Sequence, residues 1–167
     1  LGGADLTQAD LRESDLRAGY PVQIVSTGHS KVMVPINSRA LLDALAPDSG
    51  ALAALSRDIG CNGYYVFSAD WSGDPLPVHG RMFAPAAGIT EDPVTGNANG
   101  PLGAYLYHYG LIQPVNGEAS FMAVQGEAIN RMGSMGVHVR VDNGEPTEVR
   151  IVGRAVVAFH TTLTLPD

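Results

Sequence analysis

The spacing of hydrophobic residues changes several times along the chain, and each change predicts an element. Val22 and Ile24, then Val32, Val34 and Ile36, alternate with other residues, the period-2 signature of strands. Ser26-Thr27-Gly28-His29-Ser30 between them reads as a turn or loop. Ser38 is placed to cap a helix over Ala40–Leu45, where Leu41, Leu42 and Leu45 share one face. Pro47 and Asp48 interrupt that pattern, and Leu52, Leu55 and Ile59 mark a second helix ending at Gly60. Gly63 to Phe67 predicts a buried strand, and Pro77 to Phe83 another. Ala84 to Asn99 shows no clear periodicity. Leu102, Tyr105, Leu106 and Tyr109 then recur at i, i+3, i+4 and i+7, a helix that Gly110 stops. Phe121–Val124, Val137–Val141, Val149–Ile151 and Val156–Leu165 predict strands, with Asp142-Asn143-Gly144 as a hairpin turn.

Residues 5–17, with Leu6, Leu11 and Leu16 at five-residue steps among charged neighbours, read as a polar, short helical lead-in. No low-complexity linker or internal boundary divides the chain. The order β-β-α-α-β-β-α-β-β-β-β predicts a single mixed α+β domain over 1–167, with 1–19 as lead-in. Its sheet is expected to be curved and largely antiparallel, packed around at least one helix.

Composition narrows the function. A 167-residue chain with 45% hydrophobic and 16% charged residues can fill a real interior, and 20 Gly with 11 Pro suit many turns. Ten Lys and Arg against 17 Asp and Glu give a formal charge of −7, which repels phosphate backbones and anionic lipid. Nucleic acid and membrane are therefore not expected partners. One cysteine, Cys61, builds neither a disulfide framework nor a cysteine-rich zinc site. His29, His79, His108, His138 and His160 lack metal-ligand spacing, so no metal is expected. No apolar run approaches the ~20 residues that cross a bilayer. Leu1-Gly2-Gly3-Ala4-Asp5 lacks the basic start and apolar stretch of a secretory signal, and the expected location is the cytoplasm.

Glu91-Asp92-Pro93-Val94-Thr95-Gly96-Asn97-Ala98-Asn99-Gly100 is the least ordinary segment. Small residues at a helix start leave backbone N–H groups accessible, and with the helix dipole they attract a carboxylate. An anion held there would lie beside Asp92, Thr95 and Asn97, the arrangement that proton transfer at a carbon near a carboxylate needs. From composition alone, the reading these residues suit first is a turn with a cap.

Arg81-Met82-Phe83-Ala84-Pro85, Gly88 and Glu91-Asp92-Pro93-Val94-Thr95-Gly96-Asn97-Ala98 together resemble the signature of the PhzF-like family of phenazine-biosynthesis isomerases. Val25-Ser26-Thr27-Gly28 precedes a hydrophobic strand as in those proteins; Gln125-Gly126, Arg131 and Val152-Gly153-Arg154-Ala155-Val156 extend the likeness from about residue 20 onward. The resemblance implies a diaminopimelate-epimerase-like fold: two lobes, each a barrel-like sheet around a central helix, with the active site between them. This chain resembles the carboxy-terminal lobe alone, the helix after Gly96 being its central helix.

By the same resemblance, Asp92 is an active-site carboxylate, and Thr95, Gly96 and Asn97 hold substrate. Asn97 stands where family members typically have Ser. The principal acid/base of the family is a Glu of the first lobe, so this lobe by itself is expected to be catalytically incomplete. The implied reaction is cofactor-independent proton transfer on a small carboxylate-bearing metabolite. The expected partner is an amino-terminal lobe or a second copy; the other reading is a non-catalytic lobe that binds a ligand or self-assembles. Cys61 lies far from the Asp92 element in sequence, which disfavours thiol chemistry. Arg81 is a candidate for a substrate carboxylate or for pairing with Glu91. His29 is a candidate for reaching a cleft or for a solvated turn, and Tyr105 and Tyr109 are expected in the core.

Overall fold

The computed structural model describes residues 11–61, 63–69 and 77–163. Strands β1 (Gln23–Ser26) and β2 (Ser30–Pro35) form the first hairpin, with Gln23 opposite Met33. Helix α1 (Arg39–Ala44) begins where the Leu41 amide donates to the Ser38 hydroxyl at 3.3 Å. In α2 (Ser49–Ile59) the amides of Gly50 and Ala51 donate to the Asp48 carboxylate, and Gly60 closes the other end. Strands β3 (Tyr64–Ala69), β4 (Pro77–Ala84) and β5 (Ile89–Asp92) lead into helix α3 (Gly96–His108). Strands β6 (Glu118–Gln125), β7 (Gly133–Asp142) and β8 (Glu145–Val152) follow.

The strands make one sheet in the order β1-β2-β3-β4-β6-β7-β8, with β5 also on β4. Pairing is antiparallel except for β2 with β3 and β4 with β6. Helix α3 touches β1 and β2 at one end of this order and β7 and β8 at the other, so the sheet curls around it. Tyr105 and Tyr109 fasten the helix to the β1 end through the Pro21 carbonyl and Gln23; Tyr107 reaches the Gly144 carbonyl in the β7–β8 turn. Two glycines let strands approach: a Cβ on Gly103 would meet Val137 and Val139 at 2.9 Å each, and one on Gly100 would meet the Thr27 hydroxyl at 2.9 Å.

Hydrophobic residues fill both faces of the first half of the sheet. Met33, Tyr65, Phe67 and Val78 join Leu102, Tyr105 and Leu106 under α3. Val32, Val34, Ile36, Tyr64 and Val66 pack outward against Leu42, Leu45 and Leu52. That double cover makes β3 buried at every position, whereas β6 alternates buried with exposed because its outer face meets solvent.

Three expectations need correction. Val156–Leu165 is not a strand where described: residues 153–163 carry no regular structure, and Leu165 lies outside the described residues. Val156, Val157, Phe159 and Leu163 are 73–92% exposed. Strand preference measures fit to a half-buried pleated surface, and the described residues give this segment none. Ile89–Asp92, which shows no period of its own, is a strand because β4 offers it an edge. The lead-in is more than polar: Leu11 is buried in the outer core and Leu16 bridges Ile36, flanking a 3-10 turn at Glu13–Asp15. Leu6 lies outside the described residues.

Candidate functional site

The free edge of β4 is shared. Its first half, Pro77–Gly80, pairs with Met122–Gln125 of β6, and its second half, Met82–Ala84, with Ile89–Asp92 of β5. The end of β5 therefore abuts the end of β6, which brings Asp92 beside Gln125 just before α3 begins. The loop from Pro93 to Thr95 is seated on Gly126, whose φ of +81° suits glycine and whose Cβ would lie 2.7 Å from the Pro93 carbonyl. Val94 packs on Gly133 in the same way.

Thr95 is the residue before the helix, yet its hydroxyl caps nothing. It donates to Asp92 Oδ2 at 2.6 Å and accepts from Gln125 Nε2 at 2.9 Å. Gln125 Nε2 also donates to the Asp92 carbonyl at 2.6 Å, while its Oε1 accepts from the Thr95 amide at 3.2 Å and Asn99 Nδ2 at 3.3 Å. Asn99 Nδ2 donates in addition to the Thr95 carbonyl, and the Tyr65 hydroxyl donates to Asn99 Oδ1. Tyr65 is wholly buried, which pushes its phenol far above the ordinary value, only partly offset by the Asn99 bond; it stays a donor.

Because Thr95 turns its hydroxyl inward, the first amides of α3 keep no side-chain cap. Among the described residues the N–H groups of Gly96 and Asn97 have no protein acceptor. Pro101, inside the helix, has no N–H to give the Asn97 carbonyl. Asn97 is exposed and Gly96 half-buried. The end they form is flanked by the β1–β2 turn through Thr27 and by β8, where Ile151 Cγ2 would lie 3.8 Å from a Cβ on Gly96. Asp92 is half-buried, and its Oδ1 receives no hydrogen bond from the described residues. The structure thus brings Asp92, Gly96 and Asn97 to one open end of the sheet, while Thr95, 7% exposed, points into the protein behind them.

The other candidates lie elsewhere or are engaged. Arg81 makes a bidentate pair with Glu91, at 3.0 and 2.7 Å, and donates to the carbonyls of Leu42 and Leu45 at the end of α1. It is a fastener, not a substrate contact. His29 is exposed in its turn, and Tyr105 is buried in the core. Cys61 is buried in the outer core. His79 meets Glu127 and Arg39, and His138 meets Glu118. A groove on the outer sheet face holds Glu118, His138, Arg140, Glu148 and Arg150, whose charges pair with one another.

Gln125, Asn99 and Tyr65 are the site residues that motif reading passed over. A signal existed: Gln125 follows Ala119, Phe121 and Ala123 on the core-facing positions of β6, and Asn99 shares a helical face with Leu102 and Leu106. A polar side chain on an apolar face needs designated partners.

The curled sheet around a buried helix, open beside Asp92, is an α+β lobe of the diaminopimelate-epimerase-like kind. Residues 3–161 match the family model described as phenazine biosynthesis-like protein, and the chain belongs to that family. It is 54% identical over 160 residues to an uncharacterized isomerase of Clostridium acetobutylicum, covering 96% of this chain and 53% of the relative. A trans-2,3-dihydro-3-hydroxyanthranilate isomerase of Pseudomonas chlororaphis is 32% identical, over 87% of this chain and 49% of its own. Among solved structures, the phenazine biosynthesis protein of the PhzF family from Bacillus anthracis superposes with a TM-score of 0.75 at 29% identity, over 88% of this chain and 50% of that one. The chain spans about half the length of the relatives it matches.

Proposed function

We propose that this chain supplies one half of the active-site cleft of an isomerase or epimerase that moves a proton on a small carboxylate-bearing metabolite without a cofactor. One observation carries the reading: the N–H groups of Gly96 and Asn97, without an acceptor among the described residues, stand at the same open end as the Asp92 carboxylate. The amides and the helix dipole hold the carboxylate of the metabolite. The Asn97 side chain adds a donor and an acceptor, and Asp92 faces the carbon from which the proton leaves or to which it returns. Thr95 acts from behind, through its bond to Asp92. The remaining half of the cleft, with the principal acid/base, belongs to the other lobe. The names of the relatives as isomerases support the reaction class.

Titration of the 15N-labelled chain with benzoate tests the cradle. The Gly96 and Asn97 amide resonances should move with a common saturation curve, and Asn97→Pro, which removes one donor, should weaken the response at Gly96. Shifts spread evenly over the surface would reject it. In a full-length protein carrying this lobe, Asp92→Ala should lower turnover by about 100-fold or more, and unchanged turnover would reject its role.

A second reading, a lobe that assembles with its own copy, is favoured by the exposed Val156, Val157, Phe159 and Leu163. Its measurable consequence is self-association of the chain.

A further inference from the structure

The hydrogen-bond directions around Asp92 are settled by two backbone groups. A backbone amide only donates, so the Gln125 atom 3.2 Å from the Thr95 N–H is the acceptor Oε1. A backbone carbonyl only accepts, so the atom 2.6 Å from the Asp92 C=O is the donor Nε2. Nε2 then also donates to Thr95 Oγ1 at 2.9 Å, which leaves the single hydroxyl proton of Thr95 to Asp92 Oδ2 at 2.6 Å. Asn99 is oriented by the same logic, since its Nδ2 sits 2.9 Å from the Thr95 carbonyl; its Oδ1 is left to the Tyr65 hydroxyl. Donors therefore run one way, from Tyr65 through Asn99, Gln125 and Thr95 to the carboxylate. Gln125 and Asn99 are fully buried, so water does not scramble the chain.

We propose that Gln125 is a positioning residue that makes Asp92 Oδ2 a standing acceptor and so assigns proton chemistry to Oδ1. The inference rests on the reading of Asp92 as an active-site carboxylate. With Oδ2 held by the Thr95 hydroxyl, a proton taken from or returned to a metabolite carbon resides on Oδ1, the oxygen that has no donor among the described residues. Gln125 touches no metabolite; it acts through Thr95.

The test is a coupling cycle in the whole chain, read by thermal unfolding. Gln125→Glu keeps the size and the acceptor but replaces the donor with a second carboxylate that competes for the one Thr95 proton. It should lower Tm by about 5–10 °C. Asp92→Asn supplies a donor at the other end, so the chain can reverse: in Q125E/D92N at least half of the lost Tm should return. In a Thr95→Val background, where no hydroxyl links the ends, that rescue should vanish, whereas Thr95→Ser should preserve it. Additive losses, or rescue that persists in Thr95→Val, would overturn the proposal. Should Q125E fail to fold, the wild-type protein decides by NMR: the Gln125 Nε2 protons should show through-hydrogen-bond coupling to the Asp92 carbonyl carbon, and fast exchange with solvent instead would overturn it. The cycle involves no ligand, so the two readings fail separately. Rescue with no benzoate response refutes the active-site reading alone; a benzoate response without rescue refutes the role of Gln125 alone.

Discussion

Lys31 shows what a single buried charge does to this protein. The residue is 2% exposed; its alkyl chain crosses the face of Gly63, where a Cβ would lie 2.7 Å from Cδ, and its ammonium donates to the Ser30 carbonyl at 3.2 Å. Burial lowers its pKa from 10.5, and the nearby Cys61 only partly opposes that. The sign follows from proton counts. Between the lowered value and 10.5 the unfolded chain holds more protons than the folded one, so stability rises with pH through that window. Below it the penalty is present in full. Lys31→Met keeps the apolar stem and removes the charge, and should raise stability at pH 7 by about 1 kcal/mol or more. Urea unfolding at pH 7 and again toward pH 10 measures both effects. The wild type should gain on the variant as the pH rises, and parallel profiles would refute the assignment.

At the scale of elements, the Arg81–Glu91 pair ties α1 to β4 and β5. Both side chains are under 10% exposed, and the guanidinium stacks 5.0 Å from the Phe83 ring centre. Arg81→Met strands the Glu91 carboxylate and uncaps the end of α1. Calorimetry should show a loss of about 3–5 kcal/mol, most of which Glu91→Leu in the same chain restores, because the cost lies in the unpaired charge. Equal losses in the single and double variants would place the cost in packing instead. The same element shows how much was legible. Strands β1, β2, β7 and β8, helices α1 and α2 and the later turns of α3 announce themselves by period, and β3, β4 and β6 by apolar runs, because each buries a face or both faces against neighbours that its own pattern presupposes. Strand β5 does not, since Ile-Thr-Glu-Asp becomes a strand only through β4, and the reverse error at Val156–Leu163 has the same origin. The Asp92–Asn97 segment was readable as a motif and a helix start. Its support by Gln125, 33 residues away in sequence, was not, because the meeting of β5 and β6 on one edge of β4 is a fact of topology.

Over the whole molecule, α3 holds both ends of the sheet, the β1 end through Tyr105 and Tyr109 and the β8 end through Tyr107 and the Gly144 carbonyl. Beyond β8, the last strand of the sheet order, the chain continues as an irregular stretch with Val156, Val157, Phe159 and Leu163 in solvent, beside Val152 at 48% exposure. Strand-forming apolar residues left in solvent form a surface that buries itself when it can. The relatives are about twice as long, and we propose that the other lobe covers this stretch in the complete protein. The chain without that lobe should then cover it with a second copy. Sedimentation velocity should show an s-value that climbs with concentration, and removing residues 154–167 should abolish the climb. Among the described residues the deletion takes nothing from the sheet, whose last strand there ends at Val152, so the circular dichroism spectrum should persist and Tm should move by no more than about 2 °C. A monomer at every concentration, or a truncated chain that no longer folds, would show that the stretch is satisfied within its own lobe. If the other lobe covers this surface, full-length protein should not associate through it at the same concentrations.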